Sequence, residues 1–392
     1  MKVFDRRNEL MPRPELEQLQ LERLQSLLVR LRRNVRRYRE RLADLRLESL
    51  DALASLPITT PEDMAESFPY GMFAMPLREI IRLHSTMGPD GAPLVIGHTR
   101  NDLTQWGKLA ARQLVASGVT ANDVIQVCSG TGPYRGALGI TLGAELIGAS
   151  VIAEEAYHMD AQLAMLSNYR PTMLVTTPSN ALELMRAMDQ QRIDPPSLQL
   201  RTVLLSRPVD EATREQLRAG LLVEVQSSFG IEEILDPGLC VECEHGHFHV
   251  NEDQFLVEIQ AGELLVTALC REAMPLLRFQ TRVACSMSRD KCPCGRTGVI
   301  LKPGNRLDER LLVNETPLYK GQIAEMLSHT RVAGRQFAVD VLASRVVVSI
   351  QLTEDIFSDM MWPLIDLQRS LELEFLARLG APAEVRFVQS FE

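Results

Sequence analysis

Thiol and imidazole side chains crowd two short stretches of this chain, CVECEHGHFH at 240–249 and CPC at 292–294. Zinc takes four sulfur or nitrogen ligands in a tetrahedron, and a loop-borne Cys/His group joined to a distant C-x-C can supply that number. The candidates are Cys240, Cys243, His247, His249, Cys292 and Cys294, with His247 and His249 on one face of an extended segment. Four protein ligands would close the site and leave no position for a catalytic water, so its expected role is structural. Cys128, Cys270 and Cys285 stand among apolar neighbours and are expected in the core.

A second stretch, HSTMGPDGAPLVIGHT at 84–99, runs from a glycine-bearing turn into an alternating apolar segment. Such a turn suits backbone donors for a phosphate, yet it carries no lysine. A further glycine-rich segment, SGTGPYRGALG at 129–139, holds Tyr134 and Arg135, and Arg135 could meet a carboxylate or phosphate. His84, His98 and His158 are scattered and form no Ser-His-Asp ordering.

The elements that must position these residues follow from periodicity. Residues 14–47 predict a helix without internal glycine or proline, with Leu27, Leu31, Val35, Tyr38 and Leu42 inward. Arg30, Arg32, Arg33, Arg36, Arg37, Arg39 and Arg41 crowd its other faces, which predicts a solvated basic surface or a seat for an acidic protein partner. From about 90 to 300, short apolar runs (DVIQVCS, ASVIAEE, PTMLVTTP, RTVLLS, LLVEVQSS) alternate with helical segments at 101–117, 160–168, 179–188 and 210–219. That alternation predicts an α/β layer with a mainly parallel sheet, whereas the repeated short strands after residue 238 predict an antiparallel subregion. The tail predicts a helix near 321–329, strands in QFAVDVLA and RVVVSIQL, a helix at 354–379 and a last strand in AEVRFVQ.

With 392 residues the chain exceeds one ordinary domain. The expected division is a large domain over 1–304, with 1–50 as a helical lead-in, and a small α+β domain over 305–392. A formal charge of −9 argues against general nucleic-acid binding, and no apolar run reaches the ~20 residues of a membrane span. An amino terminus without a secretory apolar core, together with seven cysteines, predicts a cytoplasmic protein with reduced thiols.

Segments through nearly the whole chain resemble the phenylacetate-CoA ligase family of adenylate-forming enzymes. They include LPITTPEDMAESFPYGMFAMP, the 84–99 loop, LGAELIGASVI, TTPSNALEL, SSFGIEEILDPG, VECEHGHFHVNEDQFLVEI, LLVTALCREAMPLLRFQTR and CPCGRTG, in the family's order. The resemblance implies the family's α/β fold with a β subregion and a small carboxy-terminal α+β domain. It also implies ATP with magnesium and coenzyme A as cosubstrates, a small carboxylate substrate, a homodimer, and a structural zinc held by Cys243, His249, Cys292 and Cys294. Cys240 in place of His249, or His247, remains a competing ligand.

Several implied nucleotide contacts are altered. Where the family reads SSGTTGKP, this chain supplies Thr86, Met87, Gly88, Pro89, Asp90, Gly91 and Ala92, so the lysine has become alanine and a carboxylate has entered. Leu205, Ser206, Arg207 and Pro208 stand where the family's adenine pocket reads Gly-Ala-Glu-Pro, and Val283 stands at the ribose aspartate. Phe229, Gly230 and Glu233 match the motif whose glutamate serves magnesium, with Glu232 in place of a serine. Arg306 and the hinge residue Asp308 are kept, but the turn that admits coenzyme A reads ETPLYK, and the sequence closes at EVRFVQSFE before the segment expected to bring the adenylation lysine. The leading expectation is a divergent homologue with ATP-dependent adenylation impaired or lost, retaining a ligand-binding or partner-supporting role. The alternative is an active AMP-forming aryl- or acyl-CoA ligase that draws its missing cations from Arg207 or Arg282.

Overall fold

The computed structural model describes residues 2–42, 47–88, 91–128, 136–152, 158–308, 310–313, 316–342, 345–351 and 361–388. Pro89, Asp90, Tyr134 and Arg135 lie outside these residues. Strands β1 (Arg82–Met87) and β2 (Pro93–His98) form an antiparallel hairpin around the glycine-bearing turn, with Met87 opposite Pro93. Thr99 and Asp102 then exchange side-chain-to-backbone bonds and start the helix Arg100–Ala116 with a capping box.

Next come β3 (Val124–Cys128), β4 (Ser150–Ile152), β5 (Met173–Thr176), β6 (Thr202–Leu205) and β7 (Glu224–Ser227), all parallel, in the order β4-β3-β5-β6-β7. Helices on both faces make these strands largely apolar, although β3 carries a buried Gln126 and β7, at the end of the sheet, an exposed Glu224. Successive residues serve different cores: Met173 and Leu204 pack with Leu114 and Ile140 on one face, Leu174 and Leu205 with Leu163 and Leu217 on the other. Strand order reverses between β3 and β5, which opens a crevice at the carboxyl ends of the strands.

An antiparallel sheet follows, built from β8 (Cys240–Glu242), β9 (Phe248–Val250), β10 (Phe255–Gln260), β11 (Glu263–Ala268), β12 (Phe279–Ser288) and β13 (Ile300–Arg306). Its order is β10-β11-β12-β13-β9-β8. The pairing of β9 with β13 sets His249 opposite Ile300, and so brings the 243–249 hairpin beside the segment that carries Cys292 and Cys294.

The amino-terminal helix is not continuous to 47. It runs Arg13–Asn34, breaks at an extended Val35 and resumes over Arg36–Arg41. The five predicted inward residues are all buried, and after the break the Tyr38 hydroxyl lies 2.6 Å from Thr59 Oγ1. A β-branched residue buried at the turn forgoes helical geometry for packing. The helix Ala137–Ile147 was not anticipated from the sequence; three glycine-spaced turns weakened its signal, yet Gly139 and Gly143 let it lie close against Trp106 and Ala110–Ala111.

The last segment holds β14 (Arg310–Val313), β15 (Thr316–Tyr319), the helix Lys320–Ser328, β16 (Phe337–Leu342), β17 (Arg345–Gln351), the helix Met361–Glu374 and β18 (Ala383–Val388). It has a core of its own, with Leu318, Ile323, Val346, Val348, Phe375 and Val385. The described part of the last helix begins at Met361 and ends in a wider π turn, Phe375–Leu379. Among the described residues no helix is long and apolar enough to cross a bilayer.

Candidate active-site cleft and metal centre

Sulfur and nitrogen atoms of Cys243, His249, Cys292 and Cys294 lie within 4.8 Å of one another, and all four residues are buried. Cys243 Sγ is 3.8 Å from Cys292 Sγ, and Cys294 Sγ is 3.3 Å from His249 Nε2. A tetrahedral zinc with sulfur at ~2.3 Å places two thiolates about 3.8 Å apart, so this set matches the dimensions of the ion. His249 Nδ1 sits 3.1 Å from the Gly298 carbonyl; donating there leaves Nε2 free to ligate. Burial pushes the Cys243 thiol up to about 12 and holds His249 down at about 4, so without a metal the imidazole is neutral and the thiol protonated near pH 7. Cys240 points elsewhere, into the main core. His247 stands outside the group, with Nδ1 3.2 Å from Cys292 Sγ.

A cleft of about 1260 Å³ opens beyond the ends of β5, β6 and β7 and runs between them and the antiparallel sheet. Ser206, Arg207, Phe229, Gly230, Glu232, Glu233, Val283 and Arg306 all line it. Gly230 is required by space: a Cβ there would lie 2.4 Å from Asp236 Oδ1. Phe229 is held edge-on to Phe248 at 6.2 Å, while Arg306 makes a two-pronged bond to Asp308 at 2.7 and 2.6 Å. Val283, opposite Arg306 in the β12–β13 pair, offers an apolar wall where a ribose acceptor is expected.

The loop side is occupied by the protein's own groups. Thr86 Oγ1 donates to Glu232 Oε2 at 2.6 Å, joining β1 to the FGIEE motif. Gly88 N donates to Ala92 O at 2.7 Å. Gly91, at φ +78°, has the Gln322 side chain 2.4 Å from where a Cβ would be, and Gln322 Nε2 lies 3.1 Å from Met87 Sδ. The small carboxy-terminal layer therefore rests on the loop.

Comparison with known proteins decides the family. The phenylacetate-coenzyme A ligase of Thermus thermophilus is 33% identical over 340 residues, covering 81% of this chain and 76% of its own length. That of Pseudomonas putida is 31% identical over 359 residues, covering 86% and 81%. The chain belongs to the phenylacetate-CoA ligase family. No family model matches it. Among solved structures, this family member resembles a 2-hydroxyisobutyryl-CoA ligase in complex with 2-HIB-AMP and CoA in the thioesterification state, with a TM-score of 0.88, 20% identity, and coverage of 99% of this chain and 89% of that one. Against the postadenylation state of the same ligase the TM-score is 0.71, with 97% and 88% covered. The α/β fold is that of adenylate-forming CoA ligases.

Within the family member's cleft, sequence reasoning missed Lys302, Lys291 and Arg214, which line the wall beside Arg306 and Arg207. The β12–β13 register shifts between Pro303 and Arg306, so simple alternation from Arg306 does not lead to Lys302. Arg282 is directed to Glu62 at 3.1 Å and does not line the cleft. Part of the basic helix is used within the fold, where Arg37 and Arg41 pair with Asp63 and Arg30 donates to the Arg271 carbonyl, while Arg33, Arg36 and Arg39 are exposed.

Proposed function

We propose that this phenylacetate-CoA ligase homologue has its ATP-dependent adenylation impaired or lost and uses the cleft to bind a small carboxylate or its acyl or aryl derivative. The observation that carries this is the Thr86–Glu232 bond. It sets a carboxylate on the hydroxyl that a phosphate loop offers to ATP. An anion brought within 4 Å of that carboxylate meets about 4 kcal/mol of repulsion per unit charge at an effective dielectric of 20. Val283 and the missing loop lysine act in the same direction, and a single lost cation or donor is worth roughly a hundred- to thousandfold in rate. The same reading takes a structural zinc at Cys243, His249, Cys292 and Cys294, a hinge at Arg306 and Asp308 between a large unit over 1–304 and a small one over 305–392, a homodimer, and a cytoplasmic setting for seven free thiols.

The second reading is an active AMP-forming ligase using ATP, magnesium and coenzyme A. Glu233 beside Arg207, Lys302 and Arg306 in one cleft favours it. Calorimetric titration of magnesium-ATP into the metal-loaded protein separates the two. The first reading expects no saturable binding below ~1 mM, about −4 kcal/mol. Tighter binding accompanied by pyrophosphate release with an aryl acid establishes the second.

A further inference from the structure

Residues 2–13 lie as a strap across the segment that follows the C-x-C. Glu9 is buried among it, with Oε1 accepting from Phe4 N at 3.0 Å and Asp5 N at 2.8 Å. Its other oxygen, Oε2, accepts from Arg296 Nε at 2.9 Å, and Arg296 Nη2 donates to the Lys2 carbonyl at 2.7 Å. Both side chains of this pair are 2% exposed. Thr297 N donates to the Glu9 carbonyl at 3.2 Å, and Arg13 Nη2 reaches the Thr297 carbonyl at 3.0 Å. Arg296 is two residues beyond Cys294, so the bonds to Arg296 and Thr297 bear on the knuckle that carries two of the four candidate metal ligands, while those from Phe4 N and Asp5 N fix Glu9 within the strap.

We propose that Glu9, acting through Arg296, is a positioning residue for the Cys292–Cys294 knuckle, so that the amino-terminal strap and the metal centre form one coupled unit. The inference rests on the metal reading above. A buried ion pair fixes geometry more than it adds stability, and removing one partner leaves an uncompensated charge beside the ligands. Groups bonded directly to a ligand change metal affinity by about 10–100-fold when lost, and the Glu9–Arg296 pair, one step further out, is expected at the low end of that range. The coupling is reciprocal: whatever holds the strap tightens the metal, and the metal holds the strap by the same factor.

The test uses the full chain loaded with zinc and a competing chelator. Glu9→Gln is expected to weaken zinc about tenfold or more. Asp5→Asn, which removes strap contacts to Asn8 and Arg112 but none to Arg296, is expected to stay within about twofold of the unaltered protein. Hydrogen exchange in the unaltered protein is expected to speed up over residues 2–13 when zinc is withdrawn. Equal affinity in Glu9→Gln, equal losses in both variants, or exchange of the strap that ignores zinc each overturns the proposal. An unaltered protein that takes up no zinc instead fails the metal reading itself, and the proposal with it.

Discussion

The Cys/His cluster and the glycine-bearing loop differ in what their polar groups are turned towards. At the cluster, four ligand atoms remain within 4.8 Å, with a carbonyl orienting the histidine and a buried ion pair two residues away. At the loop, the frame of the hairpin is intact but its hydroxyl is bonded to Glu232 and its glycine is covered by Gln322. On the proposed reading a structural ion would serve the fold whatever the protein does, whereas loop donors matter only to a ligand. On that same proposed reading, the scaffold was kept while the anion site was filled from within by Glu232 and Gln322.

The strongest way to break this contrast is to remove the ion. Cys294→Ser is expected to lose bound zinc entirely and to lower Tm by at least about 5 °C, as several kcal/mol of binding free energy leaves the folded state. Metal content by mass spectrometry and a thermal scan check it; an unchanged Tm would mean the cluster is not structural.

Acid is expected to strike the loop's hairpin next. His98 ends β2, stacked between His84 at 5.1 Å and Trp106 at 5.2 Å, and neither ring nitrogen has a partner among the described residues. Burial, then the charges of Arg271, His84 and Arg82, hold its pKa down at about 2. The unfolded chain takes this proton first, near 6.5, so stability is full above that pH and falls as pH drops from 6.5 towards 2. Between pH 6.5 and 5 the loss is about 2 kcal/mol, measurable by urea unfolding, and His98→Phe should flatten that slope.

Removing the internal carboxylate sharpens the contrast from the other side. Glu232→Ser is expected to raise magnesium-ATP affinity at least tenfold, about 1.4 kcal/mol, by calorimetry. No gain would show that the carboxylate is not what keeps the nucleotide out. The smallest effect is expected from Gln322→Ala: hydrogen exchange over residues 86–94 rising about threefold, with stability changed by under about 1 kcal/mol.

Much of this was legible in the sequence. Apolar runs alternating with helical segments pointed to the parallel sheet, because strands covered on both faces are built mostly from apolar residues. Family likeness singled out Cys243 and His249 with the C-x-C, while spacing alone left Cys240 open; its exclusion depends on β8 turning it towards Cys285 and the core. Other features were out of reach. Thr86 and Glu232 are 146 positions apart and Glu9 and Arg296 287 apart, so their bonds exist only once sheets and strap have docked. The break at Val35 was hidden for the same reason: local propensity favours helix, and the packing that overrides it comes from elsewhere.

The parallel strands carry a last consequence, for how substitutions combine. Met173 and Leu174 are chain neighbours, yet the sheet separates the cores they fill. Their changes should add to within about 0.5 kcal/mol, while Leu174 and Leu205, 31 positions apart but in one core, should show epistasis. A library built from adjacent codons would thus sample two independent landscapes at once.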